Sequence, residues 1–445
     1  MTEFLANVLG ITIFVLVIAF SIAFHEWGHF TTARRYGVKV TEFMVGFGPM
    51  IWGRVRGETT YGVKVVPLGG YVRIVGMFPP PKDAPANLVP ATTTGRFTTL
   101  IEQAREDSFV EIAPGDENRV FYKLPPHKRI VVMMAGPFMN LILATVLFTI
   151  VLVGIGLPGA TTTVDQIVPC VPTAANPLGE SRPADTCPPD TAPSPATGAG
   201  ILPGDVITRV AGQDVSTWNE LTGALGDLAP GDQTVVTIDR GGAQVQTTLT
   251  LAQAVYPVLD SDGQPTGETQ TKPFIGVRPD VAYVPMPVTE VPAYMWDLTV
   301  RSVEALITLP AKLWDLTQTL VTNGERDPNG PVSVVGVTRL GGEIAALDEP
   351  FKAKAAAFLG LAASLNLFLF LFNLLPLLPL DGGHAAAATY EAVRRQLARL
   401  RRQPDPGPVD TARLLPLTYA VAAVLLVSGV IVIWADLVKP ITLSG

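Results

Sequence analysis

Four apolar stretches constrain this chain more than any other feature. They cover residues 4–30, 130–157, 355–380 and 415–438, and each is long enough to cross a bilayer core as a helix of about 20 residues. Residues 11–24 hold no charged side chain at all. A buried core helix would explain one such stretch, but four in one chain read as membrane spans. The composition agrees, since charged residues make up only 16% of the 445 and the mean hydropathy is +0.35. That balance suits a membrane protein carrying soluble parts. A formal net charge of −7 leaves no electrostatic footprint for nucleic acid, so none is expected as a partner. The chain opens with Glu3 rather than a basic run, and no small-residue cleavage site follows the first apolar stretch, unlike a signal peptide.

Basic residues orient the spans. Arg34, Arg35 and Lys39 follow the first, and Lys128 and Arg129 precede the second. Arg394, Arg395, Arg399, Arg401 and Arg402 lie between the third and fourth. Positive charge is retained on the cytoplasmic side, which puts both termini and the long region between the second and third spans outside. The chain is thus read as a multi-pass protein of the cell (plasma or inner) membrane, with the lipid bilayer as its surroundings.

The first span closes in Phe24-His25-Glu26-Trp27-Gly28-His29-Phe30, an H-E-x-x-H pattern. Positions i and i+4 share one helix face, so both imidazoles can reach one metal ion. Glu26 then sits where a base could take a proton from the hydrolytic water. With four histidines in the whole chain, chance rarely produces the pattern. Ionisable groups at membrane depth are costly and normally functional.

Two histidines do not complete a catalytic zinc site, which usually has three protein ligands. The polar groups of the third span are Asn366, Asn373 and Asp381, the last two in Asn373-Leu-Leu-Pro376-Leu-Leu-Pro379-Leu-Asp381-Gly382-Gly383-His384. The prolines and glycines break the helix there, leaving backbone that must line protein or water. Asp381 is the favoured third ligand and His384 its rival. The structural alternative for Asp381 is a cap on a following helix, 385–400.

The rest of the chain is less explicit. Residues 38–76 are short β-prone runs separated by Gly and Pro. Two readings stay open for them. One is a small cytoplasmic sheet; the other is strands that dip into the membrane and offer a free edge to an extended peptide. Pro79-Pro80-Pro81 and the run to Thr94 read as a linker, residues 97–113 as an amphipathic helix, and His127 as solvated. Asn140, in the second span, needs a partner in lipid and is expected to face the bundle interior. Residues 170–197 are rich in Pro, Ala and Thr and hold both cysteines. An oxidising compartment favours a Cys170–Cys187 disulfide over two free thiols. Strands are expected at 208–211, 234–239 and 244–251, with a helix at 217–226 after the first. Residues 293–321 read as an amphipathic helix lying on the membrane surface.

The two metal motifs together, FHEWGHF and NLLPLLPLDGGH, closely resemble the site-2 protease family of intramembrane zinc metalloproteases. The stretch GAGILPGDVITRVAGQDV looks like a PDZ domain of the kind inserted in the regulator-of-sigma-factor proteases of that family. PLGGYV, AGPFMN and NGPVSVVG are similar to its recurring segments. The resemblance implies Zn2+ held by His25, His29 and Asp381, with Glu26 catalytic. It also implies Gly46, Phe47 and Gly48 in a membrane re-entrant β-loop that pairs with substrate, and Asn373 near the scissile bond. Its substrates would be transmembrane proteins with one span, such as anti-sigma factors or remnant signal peptides.

The fold class expected is therefore an α-helical polytopic membrane protein with about four transmembrane helices, a re-entrant β-rich loop and an inserted α+β PDZ domain. Residues 1–31 form the first transmembrane helix, 32–127 a cytoplasmic-side region with the β-loop at 38–76, and 128–158 the second helix. Residues 160–290 form the PDZ domain with its cysteine-bearing insertion at 170–197, and 291–350 an amphipathic helix and connector. The third transmembrane segment, 355–385, a basic loop, 386–414, and the fourth helix, 415–439, complete the chain. Two other function classes are compatible with parts of this pattern. A catalytically silent PDZ scaffold would use only the outer domain, and a metal transporter would use polar groups in spans.

Overall fold

A computed structural model describes residues 2–77, 116–173, 187–188, 191–259, 265–322, 324–409 and 414–442. The expected helix at 97–113, the linker before it and much of the proline-rich insertion lie outside the described residues. The chain divides into two units, Met1–Gly154 with Pro287–Gly445, and Ile155–Met286.

In the first unit, α1 (Thr2–Arg35) carries the first apolar stretch and the H-E-x-x-H pattern. At 1.5 Å per residue such a helix is about 50 Å long. Next comes a hairpin of two unusually long strands, β1 (Val40–Arg56) and β2 (Thr59–Ile74). Each strand bends back on itself, so the hairpin forms four lanes. Val45 pairs with Gly70 on one side and with Val63 on the other, while Trp52 pairs with Val63 from beyond. The lanes therefore run 70–74, 40–47, 60–66 and 50–56 across the sheet. Gly46 and Gly48 (φ 92° and 88°) turn the first strand, and Gly69 (φ 116°) turns the second. Those dihedrals lie in the left-handed region, which a residue without a Cβ enters at little cost.

Helix α2 (Pro126–Thr149) follows, its last turn continued as a wider π-type turn to Ile155. It crosses α1 closely. A Cβ on Gly28 would lie 2.5 Å from the Ala135 carbonyl oxygen. Helices in lipid gain nothing from burying apolar side chains against each other, and small residues let their backbones approach. Phe30, Val40, Ile74, Phe121, Val132, Met133 and Ala385 form the core where α1, α2 and the hairpin base meet.

The second unit is inserted between α2 and the remaining helices. Its main sheet has the order β10-β3-β4-β6-β7, built from β3 (Leu157–Ile167), β4 (Val206–Val210), β6 (Gln233–Arg240), β7 (Ala243–Thr250) and β10 (Val277–Val284). The short β5 (Gln213–Asp214) pairs with β4, while β8 (Ala252–Leu259) and β9 (Pro265–Phe274) form a separate hairpin. Helix α3 (Trp218–Gly226) starts in a capping box made by Thr217 and Glu220, which satisfies two of its free N–H groups. Ile207, Leu221, Val236, Ile238 and Leu251 sit in the unit's own core. Cys170 and Cys187 are joined by a disulfide. Buried Asp205 accepts from the Arg240 guanidinium at 2.8 Å and from the Leu202 N–H at 2.7 Å, and the Arg240 bonds foremost hold its carboxyl below the usual range.

Back in the first unit, α4 (Val291–Thr322) and α5 (Val334–Ala346) precede α6 (Phe351–Asn373), α7 (Asp381–Leu400) and α8 (Leu415–Val438). Helix α5 packs on α1 through small residues, Gly10 meeting Gly341, Gly342 and Ala345. Buried Asn366 on α6 donates to Ser21 Oγ of α1 at 3.0 Å. Among the described residues, four helices are long and apolar enough to cross a membrane: Phe4–Arg35, Pro126–Ile155, Phe351–Asn373 and Leu415–Val438. The third apolar stretch was expected to run to 380, but its helix ends at Asn373. Pro376 and Pro379 lack the N–H groups a helix would need next.

Candidate active site

His25 and His29 project from one face of α1, as their four-residue spacing requires. Asp381 reaches the same point from the first turn of α7. Its Oδ2 lies 3.1 Å from His25 Nε2 and 3.3 Å from His29 Nε2, and the two Nε2 atoms are 3.2 Å apart. Among the described residues, these three form the group of His, Cys, Asp or Glu side chains able to hold one ion.

The broken helix brings Asp381 there. After Asn373 the chain turns through 374–380, and Leu380 N–H bonds Leu377 O at 2.8 Å. A Cβ on Gly382 or Gly383 would strike the backbone of Leu374, Leu375 or Leu377, so only glycines let α7 start this tightly. Asp381 is the first residue of α7, which starts four residues earlier than the expected 385, and its Oδ2 receives no hydrogen bond. An ion pair fixes α7 from its far side, where Arg129 of α2 meets Glu391 at 2.5 Å, both buried. Arg395 forms a second ion pair with Glu391 at 2.9 Å.

The donor set fits a metal. His29 Nδ1 lies 2.8 Å from the Val132 carbonyl, which can only accept, so the His29 proton sits on Nδ1 and Nε2 carries a lone pair. Asp381 Oδ2 is buried and receives no hydrogen bond. Electron-pair donors this close repel each other unless a cation lies between them. A tetrahedral zinc with bonds of about 2.0–2.1 Å spaces its ligands about 3.3–3.4 Å apart, close to the triangle observed.

Glu26 stands beside the triangle, partly buried. The Val72 backbone, in the outermost lane of the hairpin, lies beside its carboxylate. Gly70 packs next to it, since a Cβ there would sit 3.3 Å from Glu26 Cγ. Gly136 on α2 lies against the His29 imidazole, where a Cβ would come within 2.2 Å of Nε2. Asn140, also on α2 and buried, has its amide 3.2 Å from His25 Nδ1.

The other expected residues are not part of the ligand triangle. Asn373 donates to Leu369 O of its own helix at 3.0 Å. Gly46, Phe47 and Gly48 form the bend between lanes of β1, with the Phe47 ring over Gly69. His384 is not in the ligand triangle, and His127 is exposed. The site roles of Val72 and Val132 have no sequence signature, because both act through backbone groups.

A family model described as Peptidase family M50 matches residues 13–404. The zinc metalloprotease Rip1 of Mycobacterium tuberculosis is 34% identical over 445 residues, covering 98% of this chain and 99% of that protein. The zinc metalloprotease RasP of Oceanobacillus iheyensis is 26% identical, covering 86% and 90%. The metalloprotease MmpA of Caulobacter vibrioides is 28% identical, covering 87% and 88%. With the family model and these relatives spanning nearly its whole length, the chain belongs to peptidase family M50, the site-2 proteases, and is a zinc metalloprotease.

Proposed function

We propose that this metalloprotease hydrolyses a peptide bond within or beside the single span of a membrane protein, with His25, His29 and Asp381 holding the zinc and Glu26 carrying the proton. The observation that carries this reading is the 3.1–3.3 Å triangle of ligand atoms, formed by a helix long and apolar enough to span and by the break that follows another. Zinc bound there supplies Lewis acidity to the scissile carbonyl and to the attacking water. Glu26 takes a proton from that water and hands it to the leaving amine nitrogen. The Val72 backbone lies beside its carboxylate.

A helical substrate hides its carbonyls in hydrogen bonds and has to unwind before it is cut. Strand addition favours the unwound form. The 70–74 lane is an outer edge of its sheet, and it runs past Glu26. We therefore assign the substrate-pairing edge to this lane, with Gly46, Phe47 and Gly48 shaping the sheet behind it and Asn373 near the scissile bond. The bend of β1 and the 50–56 lane expose Phe47, Met50, Ile51, Trp52 and Val55. An apolar patch of that kind favours a membrane re-entrant loop over a cytoplasmic sheet.

The basic residues after α1, before α2 and along α7 favour a site near the cytoplasmic face. The inserted unit is then outside, a compartment in which the Cys170–Cys187 disulfide would persist. We read this unit as a PDZ domain that selects among substrates, with anti-sigma factors and remnant signal peptides as the substrate class. The test compares membrane proteomes of cells producing the wild type or Glu26→Gln. Single-span proteins should accumulate with the variant and disappear with the wild type. Identical proteomes would overturn the proposal.

A further inference from the structure

Asn140 has no place in the hydrolytic reaction as derived above, yet it is 1% exposed and lies against a ligand. Its amide nitrogen faces His25 Nδ1 at 3.2 Å, while its Oδ1 is buried with no hydrogen-bond partner. That orientation is doubly unfavourable. It strands a buried acceptor, and it makes His25 Nδ1 an acceptor. The imidazole proton would then sit on Nε2 and point at Asp381 and His29, closing the ligand.

An amide's oxygen and nitrogen are nearly the same size, and the hydrogen-bond network decides which lies where. With the amide turned over, Oδ1 accepts from His25 Nδ1–H. The stranded acceptor gains its donor, and the Nε2 lone pair is freed towards the triangle. His29 is already held in this way by the Val132 carbonyl at 2.8 Å. Val132 and Asn140 are both on α2, so one helix serves as the outer partner of both imidazoles.

We infer that Asn140 is a positioning residue, its carboxamide oxygen fixing His25 as the Nδ1–H tautomer that can ligate zinc. The inference rests on the proposed ligand set. Outer partners of this kind typically contribute about 10–100-fold to metal affinity.

The test uses the full-length protein in detergent, measuring zinc affinity by chelator competition and the histidine tautomers of the metal-free form by 15N NMR. With only four histidines in the chain, the His25 signal can be assigned. Asn140→Leu, which has no acceptor, should weaken zinc binding by about tenfold or more and move the His25 proton towards Nε2. Asn140→Asp, which keeps the acceptor and loses the donor, should retain both zinc and the Nδ1–H form. Unchanged affinity in the Leu variant, or equal loss in both variants, overturns the inference. A His25→Ala control separates it from the ligand assignment. If His25→Ala keeps its zinc, the ligand set is wrong; if it loses zinc while Asn140→Leu does not, only the role of Asn140 falls.

Discussion

The His29 imidazole lies against the bare Cα of Gly136, and that contact sets how far α2 can be from the proposed metal ligands. Gly136→Ala would force the ring off its position or push the helices apart. A displacement of about 1 Å at a reacting centre can lower turnover about 100-fold. We expect that loss together with weakened zinc retention, measured on the purified variant; wild-type zinc content and turnover would contradict the packing described here. Glu26→Gln should behave differently, because Glu26 is not a ligand. It should abolish turnover while leaving zinc stoichiometry unchanged, and loss of the metal would count against Glu26 as proton carrier. At this scale much of the site was legible in the sequence. The four-residue spacing of His25 and His29 dictates a shared face, and Asp381 was the acid at a helix break. Val72 and Val132 were not, because a backbone N–H or carbonyl carries no residue-specific signal and its use depends on tertiary approach.

Whole elements hold these residues in register, and the Arg129–Glu391 pair between α2 and α7 is the plainest example. Removing one partner of a buried pair leaves the other charge uncompensated, at a cost of about 3–5 kcal/mol. Glu391→Ala should therefore lower the thermal midpoint in detergent markedly, and an unchanged midpoint would mean that α7 is positioned by other contacts. In the inserted unit, Asp205 ties β4 to β6 through Arg240. Its carboxyl titrates below the usual range in the folded state. Its contribution is thus fully present above the unfolded carboxyl pKa of about 3.9 and is lost as pH falls through the lower folded value. Acid should weaken hydrogen-exchange protection along β4 and β6, and Asp205→Asn should flatten that pH dependence; a variant with the wild-type profile would contradict it. The four long apolar helices were readable because length and apolarity alone specify them. The four-lane hairpin was not, since two strands that bend at Gly46, Gly48 and Gly69 look in sequence like several short ones. Helix α5 also escaped notice. Its Gly341-Gly342 reads as a breaker until Gly10 of α1 is known to pack against it.

For the molecule as a whole, the inserted unit has its own core, and its two ends are neighbours. Leu157 at the start of β3 pairs with Val284 at the end of β10, and paired Cα atoms in an antiparallel ladder lie about 5 Å apart. Residues 157–284 can therefore be replaced by a short linker without stretching the chain. If this unit selects substrates, the linker variant should cut single-span proteins whose outer domains are still intact, which the wild type should spare. Failure to cut them, with trimmed substrates still processed, would remove the selection role. The central claim is that ligands more than three hundred residues apart in sequence, His25, His29 and Asp381, share one zinc. Zinc-edge X-ray absorption of the purified protein tests it most directly. A shared site gives one zinc per chain with two imidazole ligands and oxygen, and loss of that signature in Asp381→Ala. A spectrum without imidazole scattering, or one that survives the Asp381 substitution unchanged, would contradict it.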